Sequence, residues 1–299
     1  MTELDTRIDL YTRAAEDTAS GVIRLYSTSF GMASRLLDAA TRRHIENIYS
    51  LVRLADEVVD GVAEEAGVSK SEAGAMLDQL ETDTERALKT GYSTNLIVHA
   101  FAHSARAVGI DSSLTKPFFA SMRADLSETE HDQKSFETYV YGSAEVVGLM
   151  CLKAFIDGLS YSDSEHAQMV RGAQALGAAF QKVNFLRDLA VDFEALGRSY
   201  FPGVTPSSMD EATKTRLLDD IDRDLAESAR ALPLLPARSR KAVALAQALF
   251  DELGVRLRQT PATVLLTTRV SVPNTRKSWL ALRVLMGWLP GKNHRNEGR

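Results

Sequence analysis

The sequence predicts an all-α fold, arranged as one domain over residues 1–299. None of the eight prolines precedes Pro117, and a proline inside a helix costs about 3 kcal/mol, so the long proline-free stretch favours helices. Apolar residues recur at helical spacing, whereas the alternating runs typical of half-buried strands are hard to find. One helical stripe contains Ile45, Ile48, Tyr49, Val52, Ala55 and Val59, and another contains Leu176, Ala179, Phe180, Val183, Ala190 and Val191. At ordinary helix lengths the chain would hold about eight to twelve helices.

Glycine-rich segments divide the chain into these helices. Residues 61–71 indicate a helix end followed by a new helix start. Residues 91–94 and 109–113 are typical of turns. Residues 197–208, which contain two prolines, predict a longer surface loop. No linker separates the chain into two domains, and no internal repeat of fixed period is found.

The overall composition argues against several classes of protein. The net charge is −5, whereas proteins that bind nucleic acid usually carry a basic excess. The single cysteine, Cys151, excludes an internal disulfide and is typical of a reducing compartment. The first ten residues are acidic rather than apolar, and no run of about 18 apolar residues occurs. We therefore expect a cytoplasmic protein with no nucleic-acid partner.

Two aspartates lie on an apolar helix stripe in the first half of the chain. At about 100° per residue, Asp56 projects within about 20° of Ile45, and Asp60 lies one turn further along the same face. Glu57 is expected to point to another side. A buried carboxylate is unfavourable unless it is paired with a cation or bound to a metal ion. The two aspartates are therefore candidate metal ligands.

A second group of polar side chains lies on one helix face later in the chain. Gln181, Asn184, Asp188 and Asp192 project within about 80° of one another, beside the stripe that contains Phe180. Their oxygen atoms suit Mg²⁺ or Mn²⁺ better than zinc, and substrate phosphates and water would complete the coordination shell. The alternative for any single pair is a solvated helix face with ordinary salt bridges. Two such pairs beside apolar positions favour a magnesium site.

Two acidic helices that border an apolar cavity suit the departure of a diphosphate group. Divalent ions held by them would withdraw charge from the diphosphate, and a dry pocket with aromatic faces would shield an allylic carbocation. The sequence contains no serine-hydrolase, P-loop or dinucleotide motif. His99 and His103 have ligand spacing but lack the glutamate of a metalloprotease helix, so we interpret them as structural. Cys151 is interpreted as a small buried apolar residue.

Five motifs contain the two acidic helices and several further polar segments of the chain. They are Tyr26-Ser-Thr-Ser-Phe30; Tyr49-x-x-x-Arg53-x-x-Asp56-x-x-x-Asp60; Tyr139-Val-Tyr141-Gly-Ser-Ala-Glu-Val-Val-Gly148; Gln181-x-x-Asn184-x-x-Arg187-Asp188-x-x-x-Asp192, followed by Gly197-Arg-Ser-Tyr-Phe-Pro202; and Arg269-Val-Ser-Val-Pro273. On these residues the chain resembles the squalene/phytoene synthase family, from about Tyr26 to about Leu285. The resemblance implies an isoprenoid synthase fold, a helical bundle around a central cavity, and a Mg²⁺-dependent prenyltransferase.

The resemblance also implies a role for each matched residue. The implied Mg²⁺ ligands are Asp56, Asp60, Asn184, Asp188 and Asp192. The implied diphosphate-binding residues are Ser27, Ser29, Arg53, Gln181, Arg187 and Arg269. The implied catalytic residues are Asp56, Asp60, Asp188 and Asp192, with Tyr49 and Tyr141 facing the reacting carbons or the phosphates. Small residues at Ala173 and Gly177 would leave room for prenyl tails.

Three positions depart from the family's pattern. Thr28 stands where a lysine or arginine is often found, so one phosphate contact is expected to be absent. Glu145 stands where the signature has glycine, and Phe250 takes the place of a tyrosine. None of the three belongs to the implied metal ligands.

Two motifs, at residues 26–30 and 139–148, are most similar to actinobacterial members that make phytoene. The expected reaction joins two geranylgeranyl diphosphates head to head through a cyclopropyl diphosphate, which is the first committed step of carotenoid biosynthesis, and needs no nicotinamide cofactor. An alternative within the family uses farnesyl diphosphate to make squalene, hydroxysqualene or dehydrosqualene. An alternative of another class is a non-catalytic member that binds prenyl lipids, which the intact aspartates disfavour.

The C-terminal segment is basic and carries both tryptophans. Residues 269–299 hold seven lysines and arginines against one acid. A basic helix with tryptophan and leucine can lie in the interface of an anionic bilayer, so the sequence predicts peripheral contact with the inner face of the membrane. The alternative is a last helix packed on the core, followed by a solvated basic tail.

Overall fold

The computed structural model describes residues 6–290, with every side chain in that range except those of Asp192, Ala195 and Leu196. These residues form fourteen α-helices and no strand, so the all-α prediction is confirmed. The helices are α1 (Arg7–Tyr26), α2 (Thr28–Ser34), α3 (Ala39–Val59), α4 (Val62–Glu65), α5 (Lys70–Thr90), α6 (Leu96–Val108), α7 (Ser112–Ser127), α8 (Gln133–Val140), α9 (Val146–Ile156), α10 (Asp163–Leu196), α11 (Glu211–Ala231), α12 (Ala237–Gln259), α13 (Ala262–Leu265) and α14 (Asn274–Leu285). The number exceeds the prediction because α4 and α13 have only four residues each and a π-helical turn, Tyr141–Glu145, separates α8 from α9.

Polar caps and glycines set the ends of the helices. Ser69 and Glu72 form a capping box at the start of α5, which satisfies backbone N–H groups that have no partner within the helix. Gly91 ends α5 with φ 78°, and Gly109 ends α6 with φ 75°. Both lie in the left-handed region that glycine adopts readily. The predicted break at residues 61–71 and the turns at the two glycines are confirmed.

Three clusters of buried apolar side chains hold the helices together. α3 packs against α1, α6, α7 and α9, while α10, the longest helix with 34 residues, packs against α9, α11 and α12. Phe30 of α2 lies between them: its ring centroid is 6.4 Å from that of Tyr49 on α3 and 5.5 Å from that of Phe180 on α10. The two helices that carry the acidic motifs therefore border the same aromatic group.

Glycines allow the π-helical turn and α9 to lie close to α10. A Cβ on Gly177 would come within 2.5 Å of the carbonyl oxygen of Ala144, and one on Gly148 within 2.4 Å of that of Ala173. Neither distance leaves room for a carbon atom in a close-packed interior. Backbone atoms of the π-helical turn therefore fill the space beside Gly177, where the sequence analysis expected room for a prenyl tail, whereas the same expectation for Ala173 stays a prediction.

The segment between α10 and α11 is not the surface loop that the sequence predicted at residues 197–208. Arg198, Tyr200 and Phe201 are buried in it. The ring of Tyr200 stacks on that of Phe185 of α10, with the centroids 4.0 Å apart. The segment is buried because its aromatic side chains add to the apolar cluster around α10.

Within the described chain, the stretch Gln133–Ile156 is long and apolar enough to cross a membrane by length and composition, because a window of 18 residues in it has a mean hydropathy of 1.3. It consists of α8, the π-helical turn and α9, which pack against α3, α7 and α10. The stretch is not an unbroken apolar run, because Glu145 and Lys153 interrupt it, so the expectation that no run of about 18 apolar residues occurs is not contradicted. Its place inside the bundle accounts for its apolar character.

Candidate active site

The first acidic motif lies in the last turns of α3. Asp56 is half-buried there. Burial and the charge of Asp60 raise the pKa of Asp56 to about 8, and the nearby Arg53 guanidinium offsets them only in part. The ionised carboxylate of Asp56 thus lacks a sufficient counter-charge, which a divalent cation would supply.

Asp60 does not continue the buried stripe of α3. The helix ends at Val59, and Asp60 is its C-cap, whose N–H donates to the carbonyl oxygen of Asp56 at 2.8 Å. The Asp60 side chain is 42% exposed. The predicted position on a buried face is therefore wrong, because the chain leaves the helix at this residue.

Arg198 joins Asp60 to the interior of the protein. Its Nη1 donates to Oδ1 of Asp60 at 3.0 Å, and its Nη2 donates to the carbonyl oxygens of Val59 at 2.7 Å and Asp125 at 2.8 Å. The side chain is only 7% exposed, and it connects the end of α3 to α7 and to the segment after α10. The sequence analysis assigned no role to Arg198. The sequence did contain one signal for such a role, because Arg198 stands close to Tyr200 and Phe201 within a motif that matches the family.

A buried carboxylate, Asp125 on α7, lies beneath the end of α3. The hydroxyl of Tyr139 is 2.8 Å from both of its oxygens, and that of Tyr200 donates at 3.3 Å. Burial raises the pKa of Asp125 to about 7, although Arg198 and the hydroxyls favour the ionised form. Tyr141 is 36% exposed, so the interior tyrosine of its motif is Tyr139. The catalytic role assigned to Tyr141 stays a prediction.

Asp188 on α10 binds two arginines. Nε of Arg187 and Nε of Arg269 donate to its Oδ1 at 2.9 Å and 2.8 Å. Burial alone would raise the pKa of Asp188, but the hydrogen bonds from Arg187 and Arg269 outweigh burial and lower it. The structure therefore brings two predicted phosphate-binding residues onto one predicted metal ligand.

Arg53 belongs to a second polar group, at the junction of α1, α2 and α3. Its guanidinium carbon lies 4.6 Å from the centroid of the Tyr26 ring, and it forms an ion pair with Glu57. Glu57 thus belongs with Arg53 on α3, and the expectation that it points away from the face of Asp56 and Asp60 stays a prediction. Burial raises the pKa of Tyr49, and a hydrogen bond with Ser27 is among the interactions that oppose the rise. Residues from three helices thus surround the start of α2.

Aromatic rings form an apolar wall beside these polar groups. Phe180 and Phe250 stack with their centroids 3.8 Å apart, and Phe30 lies 5.5 Å and 5.8 Å from them. Tyr49 closes the group on the α3 side. Phe250, the position of the expected tyrosine, contributes a buried ring face in place of a hydroxyl. Such a wall excludes water and offers π-faces to a cation.

The polar groups suit magnesium that is held partly by substrate. Among residues 6–290, with the Asp192 side chain outside that description, no three His, Cys, Asp or Glu side chains converge on one point. Asn184 and Gln181 are half-buried on α10, one and two turns before Asp188. Mg²⁺ is usually bound by one or two carboxylates together with phosphates and water. Asp56 and Asp188 therefore each fit such an ion, and the ligand set stays a prediction.

The relationship to known proteins follows from the chain as a whole. Residues 23–276 match the family model for squalene/phytoene synthase. The chain belongs to the squalene/phytoene synthase family. A 15-cis-phytoene synthase from Enterobacter agglomerans is 32% identical over 254 residues, which cover 78% of this chain and 82% of that protein. A phytoene synthase from Pseudescherichia vulneris is 29% identical, with coverage of 81% and 82%.

Solved structures share the fold of this family member. A dehydrosqualene synthase aligns with a TM-score of 0.75 at 22% identity, over 93% of this chain and 97% of the other. A squalene synthase from Alicyclobacillus acidocaldarius aligns with a TM-score of 0.70 at 20% identity, over 84% and 95%. The predicted isoprenoid synthase fold is thereby confirmed. The family and its phytoene synthase members identify this chain as an enzyme of the prenyltransferase type.

Proposed function

We propose that this protein joins two molecules of geranylgeranyl diphosphate head to head to make phytoene, with Mg²⁺ as its cofactor. The observation that carries the proposal is that cations and carboxylates stand together beside an aromatic wall. Arg53 lies near Asp56, and Arg187 and Arg269 bind Asp188. A diphosphate needs the cations, divalent ions need the carboxylates, and a carbocation needs the ring faces. The relatives named phytoene synthase support geranylgeranyl diphosphate as the substrate.

Different side chains would bind the diphosphate and the metal. Arg53, Arg187 and Arg269 would donate paired N–H groups to diphosphate oxygens, which the planar guanidinium suits. The neutral donors would be Ser27, Ser29 and Gln181. When bound at Asp56, Asp60, Asn184, Asp188 and Asp192, Mg²⁺ would withdraw negative charge from the leaving diphosphate. Each of these side chains acts by binding and orientation, and none is needed as a nucleophile.

The aromatic wall would stabilise the allylic carbocation, and Tyr49 would donate to the diphosphate as it leaves. Phe30, Phe180 and Phe250 would keep water away and present ring faces to the allylic cation. Burial raises the pKa of Tyr49, so its hydroxyl stays protonated at neutral pH and can donate to the charge that develops on the diphosphate. The sequence of cations ends with the loss of a proton, which released diphosphate can accept. The reaction is redox-neutral and requires no nicotinamide cofactor.

An assay with purified protein tests the substrate and the metal together. With geranylgeranyl diphosphate and Mg²⁺ alone, we expect a C40 hydrocarbon, identified by mass, together with released diphosphate. EDTA should stop both, and Mn²⁺ should restore part of the activity. Farnesyl diphosphate should be the poorer substrate. If product forms only from farnesyl diphosphate, or only when NADPH is added, the protein belongs to the squalene branch of the family. The similarity of two motifs to actinobacterial members stays a prediction.

We also propose a cytoplasmic protein that touches the inner face of the membrane through α14. Three apolar residues on this helix are exposed, Trp279 by 41%, Leu282 by 54% and Leu285 by 49%, and Met286, just beyond its end, is exposed by 72%. The guanidinium carbon of Arg283 lies 4.6 Å from the Trp279 ring centroid. An apolar face bordered by cations fits the interface of an anionic bilayer. Residues 291–299, which hold part of the predicted basic stretch, lie outside the described residues.

Flotation with vesicles tests this contact. We expect the protein to float with anionic vesicles at low salt and to be released as the salt concentration rises. Leu282→Glu should weaken binding, whereas Leu159→Glu should not, because Leu159 is similarly exposed, by 46%, but lies outside α14. If no salt-sensitive binding is found, α14 is simply a last helix packed on the bundle.

A further inference from the structure

Lys277, at the end of the first turn of α14, reaches the start of α2. Its Nζ donates to Oγ1 of Thr28 at 3.1 Å, across 249 positions of sequence. Thr28 is the first residue of α2 and stands between Ser27 and Ser29. The two serines are the neutral diphosphate donors in the proposed function. The ammonium of Lys277, which is distant in sequence, therefore lies beside the segment that carries the two serines.

The charge of Lys277 is not neutralised by a carboxylate. Within residues 6–290 no Asp or Glu lies within 4.0 Å of its Nζ, whereas the adjacent Arg276 pairs with Glu252 at 2.9 Å. Lys277 is nevertheless half-buried. Among the described residues the hydrogen-bond partner of its ammonium is the neutral hydroxyl of Thr28, at an exposed position, so the group retains unused donors and an unbalanced charge. An anion at the start of α2 would satisfy both.

The start of α2 has no other cation from its own segment. Between Arg24 and Arg35 the chain contains no lysine or arginine. Arg53 approaches from α3, where its guanidinium lies over the ring of Tyr26. Lys277 approaches from α14. The two cations therefore meet the segment that carries Ser27 and Ser29 from two different helices.

We propose that Lys277 is a diphosphate-binding residue, which supplies from α14 the positive charge that Thr28 cannot supply. The assignment rests on the proposed function, because it takes the ligand to be the diphosphate group of a prenyl substrate. It also gives α14 a direct part in the active site. The competing interpretation is that the contact between Lys277 and Thr28 only fastens α14 to α2.

Binding of inorganic diphosphate in the presence of Mg²⁺, measured by titration calorimetry, tests the assignment without any prenyl chain. Lys277→Ala should weaken binding about tenfold or more, as expected for a hydrogen bond to a charged group. Thr28→Val is the matched control, because it removes the hydrogen bond between the helices and keeps the ammonium, so its affinity should change less than about threefold. The double variant Thr28→Lys/Lys277→Ala should regain most of the lost affinity, since it moves the cation to the other side of the same contact.

Three results would overturn the proposal. They are undiminished diphosphate binding by Lys277→Ala, an equal loss in Thr28→Val, which would show a fastening role, and no recovery in the double variant while circular dichroism shows it folded. The failure of the proposed function is distinguishable. If geranylgeranyl diphosphate proves not to be the substrate while Lys277→Ala still loses affinity for inorganic diphosphate, the assignment of Lys277 stands and only the prenyl chain is reassigned.

Discussion

Arg269 and Asp188 lie 81 positions apart in the sequence and meet through two hydrogen bonds, from Nε to Oδ1 at 2.8 Å and from Nη2 to Oδ2 at 3.4 Å. Arg187 binds the same carboxylate. The carboxylate proposed to hold Mg²⁺ is thus neutralised by the arginines proposed to hold diphosphate. In the proposed reaction the substrate exchanges these partners, because diphosphate oxygens bind the arginines while the ion binds Asp188.

Removing either central carboxylate should abolish turnover but change stability in opposite directions. Asp188→Asn leaves Arg187 and Arg269 without their shared anion, so we expect the free energy of unfolding to fall by about 1–3 kcal/mol. Asp56→Asn removes a carboxylate whose pKa burial raises to about 8, so the free energy of unfolding should rise at pH 8 and above. Urea denaturation in EDTA measures the stabilities. Near-normal phytoene formation by either variant would mean that its aspartate is not a metal ligand.

The effect of Asp56→Asn on the free energy of unfolding should depend on pH, because burial raises the pKa of Asp56 in the folded protein. The folded pKa of Asp56 lies above its ordinary value of 3.8, so its contribution to stability is present below pH 4 and is lost as the pH rises through about 8. The difference in unfolding free energy between Asp56→Asn and the parent should therefore grow between pH 5 and pH 9. A difference that stays constant over this window would contradict the burial of an under-compensated carboxylate.

Replacing the buried Arg198 should be among the most destabilising single substitutions in this chain. Arg198→Met leaves the carbonyl oxygens of Val59 and Asp125 without their donor and the buried Asp125 carboxylate, 3.6 Å from Nη1 of Arg198, without its cation. We expect a loss of about 3–5 kcal/mol in the free energy of unfolding. Arg171→Met is the control, because that side chain is 60% exposed and lies 3.6 Å from Glu227; it should change stability by less than about 1 kcal/mol. Similar small effects from both substitutions, measured by urea denaturation, would contradict the network described for Arg198.

A pair of glycine substitutions distinguishes close helix packing from a helix with free space. A Cβ on Gly177 would lie 2.5 Å from the carbonyl oxygen of Ala144, whereas one on Gly254 of α12 would meet nothing within 4 Å. Gly177→Ala should therefore lower the free energy of unfolding by about 1–3 kcal/mol, and Gly254→Ala should raise it by about 0.5–1 kcal/mol. Thermal denaturation compares the two. A neutral Gly177→Ala with a shortened product would instead restore the tail-pocket interpretation.

The thiol of Cys151, the single cysteine, should not react with alkylating reagents in the folded protein. Burial raises the pKa of the Cys151 thiol to about 12, so the reactive thiolate is scarce at pH 8. Iodoacetamide should alkylate the protein to one equivalent in denaturant and leave the native protein unmodified over the same time, as mass spectrometry can show. Rapid alkylation of the native protein would mean that Cys151 is accessible.

The features that the sequence predicted correctly are those that depend on neighbouring residues. Periodic apolar stripes, capping side chains and glycines specify helices and their ends within one or two turns, so the all-α fold and the ends of α5 and α6 could be predicted. The spacing within each acidic motif likewise placed Asp56 and Asp188 on helices beside arginines. The individual roles of these residues stay predictions that the variants above test.

Only the tertiary structure decided which distant side chains meet. Arg198 reaches Asp60 across 138 positions, and Lys277 reaches Thr28 across 249. The pattern of one helix reports which of its faces is buried, but not which helix covers that face or at what distance. For the same reason Gly177 suggested an open pocket in the sequence, although the backbone of another helix occupies that space. Contacts of this kind are set by the crossing of whole helices, which no local spacing encodes.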